Sequence, residues 1–379
     1  MPTSISLLNK QVTDWYYIDK ADDVDSPALL IYLERVKHNI ELAIAMVGDA
    51  SRLRPHVKTH KTKEATLLMM QAGIMKFKCA TIAEAEMLGI CGAADVLLAY
   101  QPVGPKVKRF ISLIENFPGT QFSCLIDNIE SARFMAVEAQ ANNIATAVFI
   151  DLNVGMNRTG ILPQNALELY KSCGALEGLN IVGIHAYDGH INDSDLQVRK
   201  QRADKVFERT EQVKNELMAA GLMNPVMVIG GSPSFPIHAN RKDVECSPGT
   251  FVYWDKSYGD LFPDLGFLPA ALVITRVVSV LNETTVCLDL GHKSIAAENA
   301  LERRVFFLNE PEAKLISQSE EHLVVELPPD YMRKAGDVLY GVPFHVCPTC
   351  ALYDSATVIE MNKIKEQWQI IARDRMISV

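Results

Sequence analysis

Between residues 53 and 251, short apolar and β-branched runs alternate with amphipathic stretches. That alternation predicts parallel strands joined by helical crossovers. Strands are expected at residues 52–58, 76–80, 95–100, 121–126, 147–151, 180–185, 225–229 and 243–246, with helices at 81–90, 105–116, 129–142 and 194–220 between them. Eight such strands predict an α/β fold in which the sheet closes into a (β/α)8 TIM-type barrel. A ninth strand, at 28–33 and followed by a helix to about residue 47, is surplus to that count and is assigned to a second domain. The C-terminal third supplies further strands at 271–280, 284–290, 322–326, 338–340 and 357–360 without long helices between them, and so reads as a mainly antiparallel β domain. The stretch 259–269 holds two glycines and two prolines, and the boundary is expected there. The expected division is a barrel over 24–262 and a β domain made from 1–23 and 263–379.

A chain of 379 residues, 48% of them hydrophobic, can bury a large core. Its net charge of −9 would repel a phosphate backbone, so no nucleic-acid partner is expected. No apolar run approaches the roughly 18 residues of a membrane span. Asp14, Trp15 and Tyr16 stand where a secretory signal would have its apolar centre, so a cytoplasmic enzyme is expected. The eight cysteines are dispersed, unlike a disulfide framework, and only Cys347 and Cys350 lie close together.

In a barrel, chemistry sits at the carboxyl ends of the strands. The first expected strand ends in Arg54-Pro55-His56-Val57-Lys58-Thr59-His60-Lys61, which places one lysine among other cations and two histidines. Desolvation and neighbouring positive charge both disfavour an ammonium ion, so Lys58 is the candidate for covalent chemistry as a neutral amine. Two glycine-bearing turns follow the last strands, Gly230-Gly231-Ser232 and Ser247-Pro248-Gly249-Thr250. Glycine permits close backbone approach and exposed amides bind anions, so Gly231, Ser232, Gly249 and Thr250 are the expected phosphate cup. A lysine and a phosphate cup across one barrel mouth point to pyridoxal 5'-phosphate. Arg158, in Gly155-Met156-Asn157-Arg158, is placed to meet the cofactor's phenolic oxygen, and Tyr187 to donate to its pyridine nitrogen.

The last feature is His345-Val346-Cys347-Pro348-Thr349-Cys350. Residues two apart on a strand share a face, so His345 and Cys347 would present nitrogen and sulfur to one ion, a donor set suited to Zn2+. Cys347 and Cys350 as a redox pair, or Cys350 as a third ligand, is the competing reading.

Taken together, these motifs, with Ser26-Pro27-Ala28 and Gly183-Ile184-His185-Ala186-Tyr187-Asp188-Gly189-His190, resemble the fold type III pyridoxal phosphate enzymes of the D-threonine aldolase and D-serine dehydratase group. The resemblance implies that Lys58 carries the cofactor, that Arg158 meets its phenolic oxygen, and that His345 and Cys347 bind a divalent metal. It further implies a small D-3-hydroxy amino acid substrate, Lys58 as the base at Cα, and a head-to-tail homodimer. The chain departs from alanine racemases in having Ser247 where they place an arginine before Pro-Gly, and in presenting a metal pair where they use a tyrosine base. His-x-Cys is more similar to the D-serine dehydratase branch and His-x-Asp to the D-threonine aldolases, so a deaminating elimination is expected ahead of retro-aldol cleavage. A racemase and a non-catalytic pyridoxal phosphate carrier are more distant alternatives. For the aldol route, which needs a base at the β-hydroxyl, His56, His60 and His190 are the candidates.

Overall fold

The computed structural model describes residues 14–329 and 333–379. Strand β1 (Ala28–Tyr32) is followed by seven strands that pair in parallel and in chain order: β2 (Lys76–Cys79), β3 (Asp95–Leu98), β4 (Gln121–Ile126), β5 (Thr146–Asp151), β6 (Leu179–Ala186), β7 (Val226–Ile229) and β8 (Glu245–Cys246). Side-chain caps set where the crossover helices begin. Thr81 accepts from Glu84 N at 3.0 Å ahead of Ile82–Ile90, Asn128 from Ser131 N at 2.8 Å ahead of Ile129–Ala141, and Asp195 from Gln197 N at 2.7 Å ahead of Leu196–Ala219.

The expected first barrel strand, at 52–58, does not form. Only isolated parallel bridges, Leu53 to Cys246 and His56 to Lys78, connect this segment to the two edges of the sheet. Arg54 N donates to Cys246 O at 2.9 Å and His56 N to Pro248 O at 2.9 Å on one side, and Val57 N donates to Lys78 O at 2.9 Å on the other. Pro55 has no N–H to add to the β2 side, so the ladder there is incomplete. The parallel sheet is therefore an open, seven-stranded half-barrel rather than the closed (β/α)8 barrel expected.

The strand register decides what faces the interior. His185 pairs with Asp151 on one side and Val228 on the other, and Lys78 pairs with Leu97. Leu97, Leu125, Phe149 and Val228 form a small buried cluster. Paired residues on neighbouring strands share a face, so Asp151, His185 and Lys78 share theirs with this apolar cluster.

The second sheet has nine strands and is mixed. It contains β1, β9 (Ala271–Val280), β10 (Thr285–Leu288), β11 (Val305–Phe307), β12 (Lys314–Gln318), β13 (Leu323–Glu326), β14 (Val338–Pro343), β15 (Ser355–Glu360) and β16 (Lys363–Gln369). Its main path runs β12-β13-β10-β9-β1-β15-β16, while β14 adds to β9 and β11 to β14. The surplus strand at 28–32 joins this sheet although it lies inside the 24–262 span. It pairs parallel with β15, the exception in an otherwise antiparallel sheet. The helix Leu33–Val47 ties the two sheets together: Asn39 Nδ2 donates to Leu268 O and Leu268 N to Asn39 Oδ1, both at 2.8 Å, just before β9 begins.

Candidate active site

Lys58 faces a cavity of about 320 Å³ at the carboxyl ends of the parallel strands, together with His56, Lys78, Arg158, His185 and Tyr187. The Tyr187 ring is the centre of this group. Lys58 Nζ lies 5.9 Å, Lys78 Nζ 5.4 Å and Arg158 Cζ 5.3 Å from its centroid. Three basic side chains face one aromatic ring, and among the described residues no carboxylate lines the cavity. Such a site attracts an anionic, planar ligand.

The histidines in the cavity are neutral. Burial, reinforced by the charges of Lys58, Lys78 and Lys61, holds His56 well below its ordinary value. Burial also lowers His185, against the pull of Asp151. His185 Nδ1 donates to Asp151 Oδ1 at 2.7 Å, which leaves Nε2 as an acceptor for Lys78 Nζ at 3.5 Å. Lys78 is 2% exposed. Desolvation, then Lys58, pushes its amine down to about 7, while Asp188 and Asp151 oppose the shift.

The two glycine turns meet at Ser232. The amides of Gly249 and Thr250 both donate to Ser232 Oγ at 3.2 Å, so two N–H groups converge from different residues on one point. A side chain would be a tight fit at both turns: a Cβ on Gly231 would lie 3.0 Å from Tyr187 Cε2, and one on Gly249 3.0 Å from His56 Cβ. A buried set of bonds holds the first turn. Ser234 Oγ accepts from Gly231 N at 3.1 Å and donates to Asp188 Oδ1 at 2.7 Å, while His238 Nε2 meets Asp188 Oδ2 at 2.8 Å. A lysine, a rim guanidinium and converging amides fit the aldehyde, phenolic oxygen and phosphate of pyridoxal 5'-phosphate.

His345 and Cys347 sit at the start of a short helix, Val346–Cys350, rather than within a strand as expected. Their proximity survives the change. The His345 imidazole is within hydrogen-bonding reach of the Cys347 thiol; burial disfavours its charge, but Cys347, Glu298 and Asp255 together push it up to about 9. His345 Nδ1 bonds the Glu298 carboxylate, which leaves Nε2 available to an ion, the usual outer-shell arrangement of a metal-binding histidine. Cys347 Sγ lies 3.1 Å from Thr59 Oγ1 and 3.8 Å from Thr250 Oγ1. Among the described residues no cluster of three or more His, Cys, Asp or Glu side chains is arranged to hold an ion. A metal here would therefore have two protein ligands and open positions. All the cysteines are free, Cys347 and Cys350 included.

Two of the three candidate bases lie outside the cavity lining. His60 packs edge-on against Tyr253 at 6.3 Å, and burial takes it down to about 3. His190 lies against Gly155, where a Cβ would come within 2.6 Å of its Nε2. Lys78 and His185 line the cavity, with Asp151 behind His185, and none of the three carries a role in the sequence analysis.

Residues 31–257 match the family model described as "Alanine racemase, N-terminal domain", and residues 270–359 match "Putative serine dehydratase domain". A 3-hydroxy-D-aspartate aldolase of Paracoccus denitrificans (strain Pd 1222) is 25% identical over 368 residues, which cover 93% of each chain. A D-threo-3-hydroxyaspartate dehydratase of Delftia sp. (strain HT23) is 26% identical over 238 residues, 61% of this chain and 62% of the relative. The crystal structure of a D-threonine aldolase from Filomicrobium marinum superposes with a TM-score of 0.86 at 25% identity, covering 93% of this chain and 97% of that one. A metal-free cysteine-to-alanine variant of a D-threo-3-hydroxyaspartate dehydratase superposes with a TM-score of 0.78 at 20% identity, covering 91% and 97%. The chain belongs to the alanine racemase-like family of fold type III pyridoxal phosphate enzymes, in the D-threonine aldolase and D-serine dehydratase group.

Proposed function

We propose that the protein is a pyridoxal phosphate- and zinc-dependent lyase of D-3-hydroxy amino acids that eliminates the β-hydroxyl, in the manner of a D-serine dehydratase. The observation that carries this reading is the position of Cys347. Its sulfur is 3.1 Å from the side chain following Lys58 and 3.8 Å from the cup residue Thr250, so a metal pair adjoins both the lysine and the phosphate cup.

Lys58 would hold the cofactor through its amine, Arg158 would meet the phenolic oxygen, Tyr187 would donate to the pyridine nitrogen, and Gly231, Ser232, Gly249 and Thr250 would hold the phosphate. The cofactor would supply an electron sink for the substrate Cα, and His345 and Cys347 would hold a Zn2+ that would make the β-hydroxyl a better leaving group. Lys58 Nζ would be the base that removes the Cα proton. Burial lowers the basicity of the His56 and His185 rings that border the cavity, which makes them weak competitors for that proton. Loss of hydroxide leaves an enamine, which hydrolyses to a 2-oxo acid and ammonia.

Product analysis tests the reaction. With D-serine we expect pyruvate and ammonia, and with D-threonine 2-oxobutyrate and ammonia. Glycine with an aldehyde would replace elimination by retro-aldol cleavage, the reading favoured by the end-to-end similarity to an aldolase. Chelation is expected to lower turnover by at least about tenfold, with recovery on adding Zn2+, since an outer-shell lesion alone has effects of that size. Full turnover in metal-stripped protein would remove the metal from the reaction. Gly249→Ala places a methyl group against His56, and its dissociation constant for pyridoxal 5'-phosphate is expected to rise roughly tenfold or more, about 1.4 kcal/mol. Unchanged affinity by absorbance titration would place the phosphate elsewhere.

A further inference from the structure

Of the three basic side chains that line the cavity, Arg158 is exposed and Lys58 half-buried, whereas Lys78 is 2% exposed. An ammonium ion has three N–H donors, and among the described residues the one hydrogen-bond partner of Lys78 Nζ is His185 Nε2, at 3.5 Å. No carboxylate among the described residues lines the cavity to answer the charge, and a buried cation without a counter-charge is costly. The ring that Lys78 leans on is itself fixed. His185 Nδ1 donates to Asp151 Oδ1 at 2.7 Å, and Gln101 Nε2 donates to Asp151 Oδ2 at 3.4 Å. Satisfying His185 Nε2 needs only a neutral donor. A lysine in this place therefore supplies what His185 does not use, a charge and two further donors at the cavity wall.

We propose that Lys78 is an oxyanion-binding residue: its ammonium group, seated on the Asp151–His185 pair, meets a negatively charged oxygen of the ligand in the cavity. The ligand brings the counter-charge that the cavity wall lacks, and the unused donors gain an acceptor. Burial, then Lys58, displaces the amine down to about 7, while Asp188 and Asp151 oppose the shift. In that range a neighbouring anion is enough to hold the amine in its charged form. This inference rests on the reading that Lys58 carries the cofactor, and on that reading the oxyanion has two sources: an oxygen of pyridoxal 5'-phosphate, or the carboxylate of the amino acid.

Two full-length variants separate charge from hydrogen bonding: Lys78→Met removes both, and Lys78→Gln keeps a neutral donor for His185 Nε2. The measurements are the dissociation constant of pyridoxal 5'-phosphate, by absorbance titration of cofactor-stripped protein, the inhibition constants of acetate and of neutral acetamide against the holoenzyme, and the urea midpoint. Both variants are expected to weaken one oxyanion by roughly tenfold or more, the scale of a lost hydrogen bond to a charged group. Their midpoints are expected at or above the wild-type value, because a buried amine without a counter-charge has been replaced by a neutral chain. A loss of cofactor affinity makes the oxygen the cofactor's. A loss for acetate alone, with acetamide and cofactor unchanged, makes it the substrate carboxylate. Unchanged affinity for both oxyanions in Lys78→Met overturns the proposal. Wild-type behaviour of Lys78→Gln also overturns it, since the lysine would then only satisfy His185, and so do losses that come with a lowered midpoint in both variants, since the lysine would then hold the fold. Failure of wild-type protein to attach the cofactor at Lys58, read by borohydride reduction and peptide mapping, rejects the cofactor assignment instead, whatever the Lys78 variants do.

Discussion

Lys58→Ala is expected to lower turnover by roughly 10⁴-fold, the upper end of what one acid–base group supplies, and to abolish borohydride labelling and the visible band of the bound cofactor. Both losses have one cause: the residue would be the covalent anchor and, once displaced, the base at Cα. Stability should be nearly unaffected, because Lys58 is only partly buried at the edge of an open cavity and the described residues include no ion pair to it. Turnover, labelling and melting temperature on the same preparation separate these effects. Restoration of partial turnover by a small primary amine would show that chemistry, not folding, was lost. The damaging outcome is specific: labelling that persists in Lys58→Ala and maps to Lys78 would move the anchor to the neighbouring amine.

How much of the site can be read from the chain depends on whether a residue's role is local. Lys58, Arg158 and Tyr187 follow apolar runs that are plain in the sequence, and the fold brings the three to one cavity, with the glycine turns beside it at Tyr187 and His56. Lys78 is different. In Lys76-Phe77-Lys78-Cys79 the two lysines alternate with apolar residues, the pattern of a strand with one wet face, yet Lys78 is 2% exposed. Its burial comes from the curvature of the sheet and from Leu97 beside it, neither of which is local. The Asp151–His185 bond likewise depends on the register of β5 against β6. His60 and His190 show the converse dependence on non-local packing. Proximity in sequence to a reactive lysine or a strand end made them candidate bases, but one turned into the core against Tyr253 and the other against Gly155. The missing strand at 52–58 has a cause visible in the chain, Pro55, whose effect on a ladder is unambiguous only once the neighbouring strand is known. In the second sheet, β11, β12 and β16 went unanticipated because Lys314–Gln318 and Lys363–Gln369 are mostly polar or exposed edge strands without a buried stripe.

The largest stability effect is expected at Arg54, which lies at the opposite end of the same segment from Lys58. Its guanidinium is 1% exposed and makes three charge-assisted bonds of 2.7 Å, Nε to Glu245 and the two terminal nitrogens to the carboxylate of Asp95. Asp95 opens β3 and Glu245 opens β8, so one side chain links the edge strand β8 to β3, the neighbour of the other edge strand, across the gap where a regular strand is absent. Burial opposes the charge, but Asp95 and Glu245 outweigh it and hold the guanidinium above its ordinary value. Arg54→Met would leave two carboxylates at a largely desolvated site with only Lys76 remaining, 2.5 Å from Glu245. Breaking a buried pair in this way costs about 3–5 kcal/mol, readable as a lower urea midpoint at unchanged slope. Arg54→Lys should recover only part of that, since an ammonium ion cannot bond both carboxylates in the same fork geometry. Replacing Arg54, Asp95 and Glu245 together by apolar residues should recover most of it, because the cost lies in the unpaired charges rather than in the absence of the pair. The consequence for function follows from the chain path. Lys58 is four residues beyond Arg54 on a segment held to β8 and β2 by a few backbone bonds, so Arg54→Met should also weaken cofactor retention at temperatures well below its melting point. A loss of less than about 1 kcal/mol, with retention unchanged, would mean that those backbone bonds alone close the gap and that the buried arginine does not position the lysine.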